Sequence, residues 1–343
     1  MEQILITQEI GSFRKPLYLS SKFHSIQGTE EFRQLAGKAT LETLDLFRKA
    51  GLDNLGVGGE MFRWEMYEHP ASRIDGIEFY GLVRSFDNRY YRKGSVVRDI
   101  RRKEPFHIDE LRFLLDSAVE RIKMPITGPY TMMDWSFNEH YSDRHSLAMA
   151  YAEIINQEIK EMYELWKRSG RKERFEVQID EPATTTHPSE MDIVVDSINR
   201  CTEGLSGVEF SLHVCYSKDY RILYDRIPEM NIDGYNLEYA NRDPLAPGSE
   251  RLGYSDLKYF AQVNETVSKK RFVGIGVTDV HIDTVEPVDL IRKRIEYAIS
   301  VVDDPRLVKV NPDCGLRTRS REVGFQKLKN MVDAVRALRE EIL

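Results

Sequence analysis

Short apolar runs alternate with longer stretches of helical apolar period along almost the whole chain. Strands are predicted at Gln3 to Thr7, Leu52 to Val57, Met124 to Thr127, Phe175 to Ile179, Val208 to Cys215, Gly234 to Glu238, Phe272 to Val277 and Leu307 to Val310. Between the first two, Phe32, Leu35, Ala36, Ala39, Leu44 and Phe47 share one helical face before Gly51 stops the pattern. Leu111 to Ile122, His145 to Ser169, Met191 to Cys201, Asp256 to Ser268, Val288 to Val301 and Glu322 to Arg339 read the same way. Residues 77–106 break this rhythm, because Ile77 to Phe86 and Gly94 to Ile100 read as two strands of an inserted hairpin. Setting the hairpin aside, eight strands each followed by a helix predict an α/β fold, a (β/α)8 TIM barrel formed by a single domain over residues 1–343.

Composition adds exclusions. The chain has 343 residues, 41% hydrophobic and 31% charged, with a net charge of -7, which suits a large folded core and small-molecule chemistry. A general nucleic-acid binder needs a basic surface, and none is expected. No stretch approaches the roughly 20 apolar residues of a membrane span, so no membrane partner is expected and a cytoplasmic location is. Eight Lys or Arg against two Asp between Arg84 and Lys103 give the hairpin a local basic character; the ordinary meaning of such a run is a solvated face. Three cysteines, Cys201, Cys215 and Cys314, are too few and too odd for a disulfide framework. Cys201, near a helix end, reads as structural.

Candidate chemistry falls where strands stop. In Ser211-Leu212-His213-Val214-Cys215-Tyr216 an apolar run ends in an imidazole and a thiol at i and i+2, on one face of a strand. That pair alone fits a core histidine beside a small buried thiol as well as it fits half of a metal site. Glu238 and Cys314 lie at the ends of two further strands, and in a closed barrel all four side chains converge on the carboxyl-end rim where active sites are built. Two thiolates, one imidazole and one carboxylate form a tetrahedral zinc set. Plainer alternatives stand beside each residue. Glu238 could pair with Arg242, Glu60 and Asp180 could cap local structure, His281 and Asp279 could be a structural pair, and Trp135 could be packing.

The motifs taken together are specific. Ile10-Gly11-Ser12-Phe13, Thr127-Gly128-Pro129 with Trp135-Ser136-Phe137, Gln178-Ile179-Asp180-Glu181-Pro182-Ala183, His213-Val214-Cys215-Tyr216, Gly276 to His281 and Asn311 to Arg319 span nearly the whole chain. In that order they resemble the catalytic barrel of the cobalamin-independent methionine synthase family. The resemblance implies that His213, Cys215, Glu238 and Cys314 bind zinc. It implies that Ile10 and Ser12 hold the homocysteine carboxylate, that Glu60 and Asp180 hold its amino group, that Trp135 lies against a folate ring, and that His281, with Asp279 beside it, donates a proton.

That implied chemistry is coherent. A free thiol has a pKa of about 8.5, and a bound zinc ion lowers it. Two thiolates and a carboxylate against a dication leave a formal charge of about -1, so an added thiolate stays electron-rich. Glu60 and Asp180 suit an ammonium-bearing acceptor, whereas a sulfonate thiol such as coenzyme M, the alternative acceptor, would call for Arg or Lys.

The chain also departs from the family pattern. Full-length members carry a second, N-terminal barrel that helps hold the polyglutamyl folate tail, and this chain has no room for one. Its hairpin reads Asp87-Asn88-Arg89-Tyr90-Tyr91 where the family has a small residue and a cysteine around the arginine, and Met132-Met133-Asp134 is a local variation. Barrel-only relatives imply corrinoid donors. The expected donor is therefore methylcobalamin or a methyl-corrinoid partner protein, ahead of methyltetrahydrofolate. A protein that carries zinc or a corrinoid without transferring methyl groups, and a metal-free uroporphyrinogen decarboxylase barrel, are the remaining readings.

Overall fold

The computed structural model describes residues 4–84, 90–117, 119–248 and 250–342. Its strands, in chain order, are β1 (Ile74–Arg84), β2 (Tyr90–Arg102), β3 (Lys123–Thr127), β4 (Phe137–Asn138), β5 (Phe175–Asp180), β6 (Val208–Val214), β7 (Gly234–Leu237), β8 (Phe272–Gly276) and β9 (Val308–Asn311). Six of them form one parallel sheet in the order β3-β5-β6-β7-β8-β9. Strands β3 and β8 are buried along their whole length, as expected of a parallel sheet covered on both faces. Helices Glu30–Ala50, Ile108–Asp116, Arg144–Arg168, Met191–Thr202, Leu257–Thr266, Val288–Val302 and Arg321–Ile342 supply the covering layer. The first shows why sequence marks such boundaries well. Thr29 Oγ1 accepts from the Phe32 N–H at 3.2 Å to start it, and Gly51, at φ 90°, ends it.

Two predicted strands are much reduced. Of Gln3 to Thr7, Gln3 lies outside the described residues, and the rest pairs only through a single bridge from Thr7 to Val310 of β9. Leu52 to Val57 contributes one bridge, Asn54 to Gln8. Leu5 at φ 51° and Gly56 at φ 54° leave the extended conformation, so no longer ladder forms. These two staves complete the (β/α)8 barrel. The helix predicted to reach Ile122 ends at Asp116.

The inserted hairpin is present and longer than predicted, β1 pairing antiparallel with β2 from Ile74↔Arg102 to Arg84↔Tyr90. Ser85 to Arg89, including the predicted end at Phe86 and the Asp87-Asn88-Arg89 variation, lie outside the described residues. β2 also pairs with β4 through Ser95↔Phe137, which fastens the hairpin to the loop after Trp135. Among the described residues, three of the eight basic residues are seen in ion pairs: Arg92 with Glu68 at 2.6 Å, Arg98 with Glu78 at 3.4 Å, and Arg102 with Glu158 and Glu161 at 2.5 and 2.7 Å. Among the described residues no helix is long and apolar enough to cross a membrane.

Candidate active site

At the carboxyl ends of the strands lies a cavity of about 120 Å³. Its floor brings together His213, at the end of β6, with Cys215 and Cys314, whose ligand atoms all lie within 4.8 Å of one another. His213 is 3% exposed and its Nδ1 is 2.9 Å from the Asn236 carbonyl oxygen. With an Nδ1–H donated there, Nε2 is the nitrogen left to face the two thiols, and it offers a lone pair once its proton is lost. Nε2 is buried without a hydrogen-bond partner. Burial would lower the His213 pKa, but the Cys314 thiolate and Asp180 lift it to about 9. The hydrogen bond from Cys215 holds Cys314 well below the usual thiol range and pushes Cys215 well above it. The trio thus carries protons that a soft cation would displace.

Glu238 stands just outside that trio. Its Oε2 accepts from the Tyr216 N–H at 2.7 Å and from Asn241 Nδ2 at 3.0 Å, while its buried Oε1 has no hydrogen-bond partner and lies 3.4 Å from His281 Nε2. Arg242 does not pair with the Glu238 carboxylate; it donates to the Glu238 backbone carbonyl at 3.0 Å. A partnerless imidazole nitrogen, two thiols and a partnerless buried carboxylate oxygen are a donor set that fits zinc.

A second flank of the cavity carries Ile10, Gly11, Ser12, Glu60 and Asp180. Glu60 follows Gly58 and Gly59 in a run of left-handed residues with φ of 67°, 85° and 60°. For a glutamate that conformation is strained, and such strain persists only where neighbours impose it. Here Lys15 Nζ donates to the Glu60 carbonyl at 2.9 Å, and buried Arg63, bound to Glu110 at 2.8 Å and the Pro125 carbonyl at 2.6 Å, stands 3.7 Å from Glu60 Oε1. Burial raises Asp180 to about 7, against the pull of His213.

The outer wall is aromatic. Tyr90, Tyr91, Trp135 and Tyr216 line it, with Tyr91 and Trp135 ring centroids 5.6 Å apart and Tyr216 against His281 at 5.0 Å. The Glu238 carboxylate, 3.4 Å from Nε2, lifts the His281 ring to about 9 against the opposing effect of burial. Asp279 and His281 are a hydrogen-bonded pair through the backbone: Asp279 Oδ1 accepts from the His281 N–H at 2.8 Å, while the ring lies 3.4 Å from Glu238. Sequence reasoning did not single out Glu65, Tyr91, Tyr216 or Arg317, which also line the cavity. Tyr216 and Arg317 had a signal, one next to Cys215 and the other inside the Asn311 to Arg319 motif; Glu65 and Tyr91 sit in a loop and in the insertion, which no periodicity locates.

Comparison with known proteins decides the family. Residues 5–337 match the family model described as cobalamin-independent synthase, catalytic domain. The chain belongs to the cobalamin-independent methionine synthase family. A methionine synthase of Thermoplasma acidophilum is 64% identical over 96% of this chain and 97% of its own length. That of Pyrococcus furiosus is 38% identical over 99% of this chain and 94% of its own. Among solved structures, a B12-independent methionine synthase from Shewanella sp. W3-18-1 in complex with selenomethionine superposes with a TM-score of 0.82 at 23% identity, over 99% of both chains.

This family membership corrects the expected donor. Methylcobalamin, and with it a corrinoid protein partner, conflicts with a cobalamin-independent family. The expectation rested on the lack of a second barrel, yet the Shewanella B12-independent chain has the same extent.

Proposed function

We propose that the chain is a single-domain homocysteine S-methyltransferase that forms methionine, with zinc on His213, Cys215, Cys314 and Glu238 and with methyltetrahydrofolate as methyl donor. The observation that carries this reading is the juxtaposition of the His213, Cys215 and Cys314 ligand atoms, within 4.8 Å of one another, with the Glu60 and Asp180 carboxylates in one cavity. A bound zinc ion would supply the Lewis acidity that makes a thiol a thiolate at neutral pH. The protein does the rest by placement. Glu60 and Asp180 take the ammonium group, and the Ile10 to Ser12 loop takes the carboxylate, so the acceptor sulfur is directed to the floor. These acids disfavour a sulfonate acceptor such as coenzyme M. The selenomethionine bound by the Shewanella relative is a product-like ligand and agrees with an amino-acid pocket.

On the donor side, Trp135 and Tyr91, their rings tilted 36° to one another, offer aromatic faces for a pterin ring. The departing amine needs a proton, and His281 lines the cavity with its Nε2 3.4 Å from the Glu238 carboxylate and without a hydrogen-bond partner. Purified zinc-loaded protein, given homocysteine and either methyltetrahydrofolate or methylcobalamin, is expected to form methionine from the folate. Turnover with methylcobalamin alone overturns the donor assignment, and stoichiometric zinc without turnover on any donor overturns the enzyme reading.

A further inference from the structure

Beneath the cavity floor, hydrogen-bonded amides cross the barrel interior. Gln8 Nε2 donates to Asn236 Oδ1 at 2.8 Å and to Asn311 Oδ1 at 3.3 Å. Asn236 Nδ2 donates to Gln178 Oε1 at 3.0 Å and to Ser211 Oγ at 3.2 Å. Gln178 Nε2 then donates upward, to the Ile10 carbonyl at 2.7 Å and to Asp180 Oδ1 at 2.8 Å. Gln178, Asn236 and Asn311 are 0% exposed and Gln8 is 1% exposed. β8 contributes glycine at this level, because a Cβ at Gly274 would collide with the Asn236 and Asn311 side-chain oxygens.

A buried polar network rigidifies its surroundings when every member is satisfied. A glutamine amide has two donor hydrogens, and Gln178 places both on groups that build the site. One fixes the Asp180 carboxylate through Oδ1, leaving Oδ2 for an incoming ammonium. The other holds the Ile10 carbonyl at the head of the Gly11-Ser12 loop. Its oxygen is tied to Asn236, whose own carbonyl accepts from His213 Nδ1. Gln178 therefore stands where the amino-acid end of the pocket meets the metal end.

We infer that Gln178 is a positioning residue that sets the acceptor's amino group against the metal-bound end of the site, making the pocket select amino-acid thiols over thiols that lack the amino group. The inference rests on the proposed role of Asp180 in holding ammonium. Its test uses Gln178→Glu, which keeps the shape but cannot donate to both the Ile10 carbonyl and Asp180, and Gln178→Met, which removes the polarity. Binding of homocysteine and of 4-mercaptobutyrate, the same thiol without its amino group, is measured by calorimetry on zinc-loaded protein, with zinc stoichiometry in parallel.

Wild type is expected to prefer homocysteine. The variants should lose homocysteine affinity about tenfold or more beyond any loss for mercaptobutyrate, whose carboxylate meets the loop that Gln178 also holds, and keep their zinc; in turnover KM rises while kcat holds. Equal weakening of both thiols, or of neither, overturns the inference. If one variant does not fold, the ratio is read from the other. Wild-type protein that binds neither thiol would instead condemn the homocysteine pocket itself.

Discussion

The two halves of the barrel are built by different means. The metal half hangs on the continuous ladder from β5 to β9, where His213 is paired on both sides and Cys215 and Cys314 follow within three residues of the ends of β6 and β9. Of the amino-acid half, Asp180 ends β5 inside that ladder, but Ile10, Ser12 and Glu60 follow two staves joined by single bridges at Thr7 and Gln8, and these are fastened by side chains. Thr7 and Asp53 exchange bonds at 2.8 to 3.0 Å, Lys123 donates to the Glu9 carbonyl, and Arg339 reaches the Ile4 and Leu5 carbonyls at 3.0 and 3.1 Å. A ladder fixes ligand spacing without help from residue identity. A side-chain scaffold makes substrate geometry depend on individual residues, which is where specificity can be adjusted without disturbing the metal.

Cys215→Ser is the most severe way to separate the halves. Loss of outer-sphere partners alone costs metal sites about 10–100-fold, so losing a thiolate ligand should cost more than about a hundredfold in zinc affinity, and methionine formation should be undetectable. Metal analysis and turnover check it. Zinc retained at one equivalent would show that the trio is not the metal site.

Glu60→Gln should strike the other half alone. A charged hydrogen bond is worth about 1.5–3 kcal/mol, so the KM for homocysteine should rise about 10–100-fold while zinc remains stoichiometric. Zinc loss in this variant would mean that the halves are not separable. Trp135→Ala should affect neither half: an aromatic contact worth about 0.5–1.5 kcal/mol predicts up to about a tenfold rise in donor KM, with homocysteine binding unchanged. A changed homocysteine affinity would place Trp135 on the acceptor instead.

The ladder half was legible in the sequence because apolar runs end at the residues that carry the chemistry; β6 ends at Val214, between His213 and Cys215. The other half was less legible. Gln3 to Thr7 and Leu52 to Val57 have strand-like composition, but positive φ at Leu5 and Gly56 is a tertiary outcome that composition does not announce. The amides beneath the floor left a trace that was not used, since Gln178 and Asn236 are polar residues inside apolar strands. The aromatic wall was hidden because the hairpin's own alternation gives its strands but not what they lean on, and only the β2 to β4 pairing brings Tyr91 to Trp135.

The smallest effect tests whether side chains really close the amino-acid half. Burial pushes the Asp53 carboxyl up, but bonds from Arg339 at 2.6 Å and from Thr7 outweigh it and hold its pKa below the ordinary 3.8. A depressed folded-state pKa contributes stability that is complete above the unfolded value and is lost as pH falls through the folded one. Arg339→Met should therefore cost about 1 kcal/mol near neutral pH and change turnover by less than about twofold. The stability gap from wild type should shrink only below about pH 4. Hydrogen exchange locates the loss: the Thr7 N–H, bound to Asp53 at 2.8 Å, and the Asn54 N–H, bound to the Thr7 carbonyl at 3.0 Å, should exchange faster, with β6 unchanged. Equal acceleration in β6 would mean that the barrel opens as one unit, and the two halves would then differ in chemistry but not in how they are held.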